Sequence, residues 1–230
     1  RGIDIPNVST TVATSIQGNT ISGINQTTAS TGTSTSTGFV GIMLGTTTGL
    51  FNVGNITGNN IGSSDGSSTI VINASAGTGP VIGIYDFSVS NNNISNNIIG
   101  SITIQGSATS VGFRGILVNT GTANTIILNS NTIANITNNL VGSNSMYGIQ
   151  TALPSVTIVG NTIRNMTGNS TGLNIICMSG IITSGSTGVN TISQNTIHSL
   201  HNNSGAISNS IYTLYPTFPA TANIVERNFI

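Results

Sequence analysis

Side chains able to do acid–base chemistry are scarce in this sequence of 230 residues. It has four arginines, no lysine, four acidic residues and two histidines, so charged residues make up 3% of the chain and the formal net charge is zero. Glycoside hydrolysis usually needs two carboxylates flanking the scissile bond. The acidic residues are scattered along the chain at Asp4, Asp65, Asp86 and Glu226. We therefore expect no catalytic residues and predict that the protein is not an enzyme.

Metal and thiol chemistry have equally little support in the sequence. His198 and His201 are three residues apart, a spacing that suggests metal ligation on a helix. On a strand and its loop the two side chains need not converge, and no Cys or carboxylate lies near them in sequence to complete a site. Cys177 lies between Ile176 and Met178, which is typical of a buried small hydrophobic residue. We predict no metal, no cofactor and no internal disulfide.

The charge balance also bears on possible partners. A net charge of zero without a basic cluster provides neither a nucleic-acid footprint nor a patch for anionic membranes. No segment reaches the roughly 18 consecutive apolar residues of a membrane span. Nucleic acid and a membrane span are therefore not expected.

A six-residue motif repeats along the chain and must position any surface that the protein presents. Its pattern is a branched aliphatic residue, two variable residues, Asn, one variable residue and Ile. Seven copies begin at Ile16, Ile56, Val89, Leu128, Ile158, Ile192 and Val225. Self-similarity at intervals of 30 to 40 residues indicates a repeat architecture in which each repeat packs on its neighbours.

The Asn of this motif predicts a ladder of side-chain hydrogen bonds. A tight bend at the Asn would let both flanking aliphatic residues point inward, and Asn tolerates the left-handed backbone conformation of such a corner. Coils stacked about 4.8 Å apart would place these residues in one column, where their amides bond to one another. The predicted ladder consists of Asn19, Asn59, Asn92, Asn131, Asn161, Asn195 and Asn228.

The motif resembles the N-x-I core of right-handed parallel β-helix repeats, the solenoid of pectate lyases, polygalacturonases, phage tailspikes and many secreted adhesins. The resemblance runs from about Val12 to Ile230. It implies an all-β, right-handed parallel β-helix of about seven coils, with Ser/Thr/Asn-rich loop insertions and the Asn ladder. We expect residues 1–11 to be a lead-in segment and residues 12–230 to form the repeats. Because the chain ends within a copy of the motif, we also expect the repeats to continue beyond Ile230 in a longer protein.

A second motif, Gly-Ile, follows each of the first five copies of the first motif at a variable distance. It occurs at Gly41-Ile42, Gly83-Ile84, Gly115-Ile116, Gly148-Ile149 and Gly180-Ile181, and Ile211 is read as a degenerate counterpart. Variable spacing between fixed motifs predicts insertions that leave the solenoid as surface loops. The clearest predicted insertion is the Thr/Ser/Gly-rich segment 27–37.

Two surface features leave alternative functions open. Six aromatic residues lie near the Gly-Ile motifs, namely Phe39, Tyr85, Phe113, Tyr147, Tyr212 and Tyr215. A stacked aromatic strip would bind sugar rings, although filling the core or covering a seam is the interpretation that we favour. Flat threonine arrays bind ice, and the position before the motif's Ile holds Thr20, Asn60, Asn93, Thr132, Thr162, Thr196 and Phe229. A single interrupted column is not a two-wide flat array, so ice binding is a minor alternative.

These observations favour a structural function. We expect a non-catalytic segment of a long, secreted or cell-surface β-helical protein, acting as a stalk, filament or adhesin. The resemblance extends to the repetitive regions of large bacterial surface proteins. The expected partners are surface glycans, other surface proteins and adjoining repeats of the same chain. A carbohydrate-binding or carbohydrate-processing module is the main alternative, because this solenoid carries many unrelated functions.

Overall fold

The structure is a computed structural model that describes residues 1–6, 9–32, 37–45, 49–67, 69–88, 90–119, 125–152, 155–172, 176–184, 188–204, 210–217 and 223–230. These residues form 22 strands and no helix. The first eleven strands are β1 (Ile3–Ile5), β2 (Thr14–Ile16), β3 (Thr20–Ile21), β4 (Ile24–Thr28), β5 (Phe39–Leu44), β6 (Phe51–Val53), β7 (Asn60–Gly62), β8 (Ile70–Ala74), β9 (Val81–Asp86), β10 (Asn92–Ser95) and β11 (Ile98–Gly106). The others are β12 (Phe113–Val118), β13 (Thr125–Asn129), β14 (Thr132–Gly142), β15 (Met146–Thr151), β16 (Ser155–Val159), β17 (Thr162–Ser170), β18 (Ile176–Ser184), β19 (Thr191–Ser193), β20 (Thr196–Asn202), β21 (Ser210–Thr217) and β22 (Ile224–Glu226).

The strands form three parallel sheets that wind into a solenoid. The first sheet has the order β1-β5-β9-β12-β15-β18-β21, and the second has the order β2-β6-β10-β13-β16-β19-β22. The third runs β3-β7-β11-β14-β17-β20, with β4 and β8 joined to it through β11. The all-β parallel solenoid predicted from the sequence is therefore confirmed. It has about five turns, slightly fewer than the predicted seven.

Continuous ribs of aliphatic side chains hold the turns together. In the second sheet Val53, Ile94 and Leu128 are in register, and in the third Ile61, Ile99 and Ile133 are in register. All six side chains are completely buried in one core cluster. Burying an aliphatic side chain of this size stabilises a fold by roughly 1.5–3 kcal/mol. The stacked ribs therefore explain why the aliphatic positions of the repeated motif are retained from turn to turn.

The Gly-Ile motifs lie in the first sheet, where their Ile residues are in register. Two details differ from the predictions. Ile3 pairs with Ile42, so Gly2-Ile3 is a further copy and residues 3–5 of the predicted lead-in belong to the sheet. In the last turn Leu214, not Ile211, pairs with Ile181.

The predicted loop insertion at 27–37 lies partly outside the described residues, which omit 33–36. Residues 27 and 28 belong to β4, which pairs with β8. The described part of the predicted insertion therefore begins in the sheet.

Left-handed bends recur at two positions in every turn that contributes to the ladder except the second and the last, and neither position is the Asn of the motif. The residue before the ladder Asn has positive φ at Gly18, Asn96, Ser130, Gly160, Gln194 and Arg227. A second column, just beyond the motif's final Ile, has positive φ at Gly23, Ser101, Asn135, Asn165 and Ser199. The prediction that the ladder Asn itself adopts this conformation was wrong. The residue before it makes the bend instead, and the backbone N–H of the ladder Asn donates to Oδ1 of the Asn in the next turn.

Gly115 shows why the Gly of the Gly-Ile motif cannot carry a side chain. A Cβ at this position would lie 2.4 Å from the carbonyl oxygen of Gly148 and 2.9 Å from Cδ1 of Ile133. We predict that Gly115→Ala lowers the free energy of unfolding by roughly 1–3 kcal/mol, the typical effect of overpacking. Urea denaturation measures this change. Gly45→Ala is the matched control, because its Cβ would meet its nearest neighbour at 3.6 Å, and an equal loss in both variants would contradict the explanation.

Candidate functional site

The most extensive polar feature among the described residues is the Asn ladder along the corner between the second and third sheets. Its members are Asn19, Asn59, Asn97, Asn131, Asn161, Asn195 and Asn228. At each step the backbone N–H and the side-chain Nδ2 both donate to Oδ1 of the next Asn. The N–Oδ1 distances are 2.9–3.1 Å and the Nδ2–Oδ1 distances are 2.8–3.0 Å.

Each ladder Asn after the first also donates from Nδ2 to a backbone carbonyl of the preceding turn. Asn131, for example, donates to the carbonyl of Ile94 at 2.8 Å, and Asn161 donates to that of Leu128 at 2.9 Å. Because buried amides without partners are costly, a fully bonded column is stable inside the protein. The ladder therefore connects every turn to the next through side chains as well as through the backbone.

One predicted ladder residue, Asn92, is not part of this column. Its place is taken by Asn97, because Ile99 and not Ile94 is in register with Ile61 and Ile133. The assigned start of that copy, Val89, lies outside the described residues. In the preceding copy the buried aliphatic residue is Val53, whereas the predicted Ile56 is 81% exposed.

Asn92 instead holds a buried carboxylate. Its Nδ2 donates to Asp86 Oδ2 at 2.7 Å and its Oδ1 accepts from the backbone N–H of Phe51 at 2.9 Å. The backbone N–H and the hydroxyl of Ser88 donate to Asp86 Oδ1 at 3.0 and 2.8 Å. Asp86 is 0% exposed, and burial raises its pKa to about 6 despite these three donors. Sequence reasoning missed this network, although the short spacing of Asp86, Ser88 and Asn92 was a visible signal.

The carboxylates are not brought together in the way that acid–base catalysis needs. On neighbouring turns the positions equivalent to Asp86 hold Leu44 and Val118. Asp65 is exposed in a bend, where hydrogen bonds from the side chain and backbone of Ser67 lower its pKa to about 2. The other two carboxylates pair with arginines near the ends of the chain, Asp4 with Arg1 and Glu226 with Arg227.

Arg114 lies on the outer face of the first sheet without a carboxylate partner among the described residues. Its Nη1 donates to the carbonyls of Phe113 and Ser145 at 2.7 and 2.8 Å, and its Nη2 donates to Ser145 Oγ at 2.9 Å. Its Nε donates to Gln150 Oε1, and the guanidinium lies 4.1 Å from the ring centroid of Tyr147. Burial lowers the pKa of Arg114 to about 10, so the group is charged at neutral pH. The cation is fixed against Tyr147 and orients that ring.

The six aromatic residues near the Gly-Ile motifs divide between the core and the surface. Phe39 and Phe113 belong to the main core, and Tyr85 is completely buried in a second cluster with Val40, Met43 and Ile82. Tyr147, Tyr212 and Tyr215 occupy outward positions of the first sheet and are partly exposed. The rings of Tyr212 and Tyr215 are 4.9 Å apart. These three tyrosines, with Gln150, form what we call the tyrosine face.

The histidines and threonines lie on the third sheet. His198 is exposed, in register with Arg164 and Ala134. Gly100 continues that column. His201 lies beyond the bend at Ser199, and within the described ranges no three His, Cys, Asp or Glu side chains are grouped to bind a metal.

The threonines form two columns separated by the bend. One contains Thr132, Thr162 and Thr196, and the other contains Thr103, Thr137 and Thr167. Ile98, not the predicted Asn93, continues the first column at the third turn. Asn135 and Asn165 have positive φ between the columns. The backbone therefore changes direction between the two columns, which does not favour a flat array for ice binding.

Comparison with protein-family models, curated proteins and solved structures gave no match. Among the described residues, no helix is long and apolar enough to cross a membrane.

Proposed function

We propose that the chain is a non-catalytic structural or adhesive segment of a long extracellular or cell-surface β-helical protein, such as a stalk, filament or adhesin. The observation that carries this proposal is the Asn ladder, which runs through every turn from Asn19 to Asn228. A column of this kind links turns in series along one axis. Its hydrogen bonds join successive repeats. An extended rod needs such bonds along its whole length, whereas a reaction centre needs reactive groups gathered at one place.

The test is the location of the protein in the cells that make it. Antibodies raised against the 230-residue chain are applied to intact cells and to permeabilised cells. We expect intact cells to be labelled, and we expect external protease to remove that label before cytoplasmic markers are lost. Labelling that appears only after permeabilisation would contradict an extracellular role.

Carbohydrate binding is a second candidate function, and the tyrosine face is the observation that favours it. Tyr147 and Tyr212 occupy the same outward column two turns apart, a separation of about 10 Å at a strand spacing of 4.7–4.9 Å. Exposed tyrosine rings bury large apolar areas at low entropic cost and present a hydroxyl to polar ligands. This spacing suits two stacked sugar rings of one chain.

We predict that a glycan array will contain oligosaccharides that bind the wild-type protein and lose at least about tenfold in affinity, or 1.4 kcal/mol, with Tyr212→Ala. The control is Ile127→Ala, because Ile127 is 39% exposed on the second sheet, away from the tyrosine face. Equal weakening by both changes, or no glycan bound at all, would remove this candidate.

A further inference from the structure

The second turn carries an insertion at the corner beyond the Asn motif. In the third turn Ile99 is followed three residues later by Ile102, the next core residue of the third sheet. The same interval of three residues separates the equivalent pairs of the first, fourth, fifth and sixth turns. In the second turn Ile61 is followed nine residues later by Ile70, which pairs with Ile102. Six extra residues therefore leave the sheet here, and we call residues 63–67 the inserted segment.

Hydrogen bonds hold the inserted segment against the outer face of the third sheet. The backbone N–H of Ser63 donates to the carbonyl of Gly100 at 3.2 Å. A Cβ at Gly100 would lie 2.1 Å from the carbonyl oxygen of Ser63, so the segment lies directly on that glycine. Asn135 Nδ2 and Arg164 Nη2 both donate to the carbonyl of Ser64, at 2.7 and 3.0 Å. Bonds from the third, fourth and fifth turns thus give the segment a defined position.

The inserted segment forms one wall of an open pocket of about 240 Å³. Residues 62–65 line it on one side. The rest of the lining comes from one outward column of the third sheet, in which Thr20, Asn60 and Ile98 are in register. Sites for drug-sized ligands have volumes of roughly 300–1,000 Å³. The pocket therefore suits a single small ring.

Asp65 gives the pocket an ionised carboxylate. The side chain is exposed, and its Oδ1 accepts from the backbone N–H and the hydroxyl of Ser67 at 2.9 and 2.6 Å. These bonds lower the pKa of Asp65 to about 2, so the group is charged at neutral pH. The other acidic residues are either paired with an arginine or, at Asp86, completely buried. Asp65 is therefore the exposed carboxylate that is available to a ligand.

Ile98 gives the same pocket an apolar surface. It is partly exposed and occupies an outward position, where the neighbouring turns have Asn60 and Thr132. The amide of Asn60 can both donate and accept hydrogen bonds. An apolar surface with a few placed polar groups is typical of a small-molecule site. A pyranose matches this combination, because it has hydroxyls around its edge and C–H groups on its faces.

We propose that this pocket binds one neutral pyranose ring of a glycan. The carboxylate of Asp65 accepts hydrogen bonds from two adjacent hydroxyls, the amide of Asn60 binds a third, and Ile98 packs against the C–H face of the ring. The pocket lies on the third sheet, whereas the tyrosine face lies on the first. The two sites are separate, and neither proposal depends on the other.

The charge of the pocket determines which sugars it excludes. Asp65 is the only charged residue among those that line it. Arg164 bonds to Ser64 from the fifth turn and does not line the pocket. A uronate or a sulfated sugar would place a second negative charge beside Asp65, which is unfavourable. We therefore expect neutral hexoses to bind in preference to acidic ones.

The first experiment is an NMR titration of the isotope-labelled 230-residue chain with the methyl pyranosides of glucose, galactose and mannose. We expect at least one of them to bind with a dissociation constant on the order of 1 mM and to shift the backbone amide signals of Asp65 and Ile98. No binding, or shifts confined to Tyr147 and Tyr212, would overturn the proposal. Binding that disappears in EDTA would also overturn it, because the carboxylate would then hold a metal ion.

The second experiment removes the charge with Asp65→Asn. The amide keeps an acceptor for Ser67 and the shape of the side chain, but it loses the charged acceptor for the sugar hydroxyls. We expect binding to weaken at least about tenfold, as for the loss of hydrogen bonds to a charged group. Asp4→Asn is the matched control, because it removes the same charge from the first sheet, outside the pocket. Equal weakening in both variants, or none in Asp65→Asn, would contradict the assigned role.

The apolar contact is tested with Ile98→Thr, which introduces the residue that the next turn has at Thr132 and therefore suits the strand. We expect binding to weaken at least about fivefold, since the sugar loses contact with part of an aliphatic side chain. Thr132→Ala is the control, because Thr132 does not line the pocket, and its binding should match the wild type. Unchanged binding by Ile98→Thr would show that the ring does not pack on this residue.

The selectivity is tested with the uronate of the sugar that binds best. We expect the wild type to bind this uronate at least about tenfold more weakly than the neutral sugar, and we expect Asp65→Asn to reduce the difference. A uronate that binds the wild type as tightly as the neutral sugar would overturn the proposed preference for neutral rings.

Discussion

Replacing Asn131 with aspartate is expected to lower the free energy of unfolding at pH 7 by about 3–5 kcal/mol, the usual effect of an uncompensated buried charge. Asn131 is 0% exposed. Its Nδ2 donates to Asn161 Oδ1 at 3.0 Å and to the carbonyl of Ile94 at 2.8 Å. An ionised aspartate would place an oxygen against both acceptors and lose both bonds. Urea denaturation followed by circular dichroism measures the effect.

The matched control for this prediction is Asn129→Asp. Asn129 is two residues earlier on the same turn, is half-buried, and accepts a hydrogen bond from Ser130 Oγ at 3.1 Å. A carboxylate keeps that acceptor and reaches water, so we expect a change within about 0.5 kcal/mol. A similar loss in both variants would mean that added negative charge, and not the ladder, causes the destabilisation.

Acid should partly restore the Asn131→Asp variant. A protonated carboxyl regains one donor, which can bond to Asn161 or to Ile94. Burial of an uncompensated charge raises the pKa of the new carboxyl in the folded protein above the ordinary aspartate value of about 3.9. The difference from the wild type is therefore expected to shrink as the pH falls from 7 and to be smallest near pH 4 and below. A difference that stays constant from pH 7 to pH 3 would contradict the role assigned to Nδ2.

The repeated motif was sufficient to predict the parallel solenoid and its Asn hydrogen bonds, because stacking gives equivalent residues the same environment in every turn. It was not sufficient to fix the register in the third turn. The segment 89–99 matches the motif twice, once with Asn92 and once with Asn97. Only the pairing of Ile99 with Ile61 and Ile133 selects Asn97. The local sequence fits both registers, and pairing with the neighbouring turns decides between them.

The tyrosine face and the buried carboxylate were beyond sequence reasoning for a related reason. Tyr85 and Tyr147 occupy outward positions of the same sheet, but Tyr85 is completely buried and Tyr147 is partly exposed. Alternation along a strand predicts which face of the sheet a side chain lies on, but it does not predict which other residues cover that side chain. Asp86 likewise lies in register between two apolar residues, Leu44 and Val118. Its hydrogen-bond partners come from the segment that follows its strand, whose path the motif does not determine.

Asp86 should make the protein more stable in mild acid than at neutral pH. Burial raises the pKa of its carboxyl from 3.8 to about 6 in the folded protein, so the folded state binds a proton more tightly than the unfolded state. The stabilisation is fully present below pH 3.8 and is lost as the pH rises toward 6. A difference of this size corresponds to about 3 kcal/mol. Urea denaturation at pH 4, 5, 6 and 7 measures it.

Asp86→Asn removes the titrating group and should leave stability nearly constant over the same pH range. The new amide still accepts the two bonds from Ser88, but it brings a second NH₂ group toward Nδ2 of Asn92, so its stability at pH 4 is expected to be lower than that of the wild type. Asp65→Asn is the matched control. The pKa of Asp65 is lowered to about 2, and it therefore contributes stability above pH 3.8 that disappears only as the pH falls toward 2.

The two carboxylates therefore predict opposite slopes in separate pH ranges, with greatest stability near pH 4. The Asp65→Asn variant should retain the wild-type rise in stability between pH 7 and pH 4, whereas Asp86→Asn should not. If the wild type shows no rise, or if Asp86→Asn retains it, the buried network of Asp86, Ser88 and Asn92 does not hold an aspartate with a raised pKa. Because Asp86 has no cation among its hydrogen-bond partners, neutral amide and hydroxyl donors must stabilise its charge at neutral pH. Protonation of the carboxyl in acid removes the buried charge and its desolvation cost.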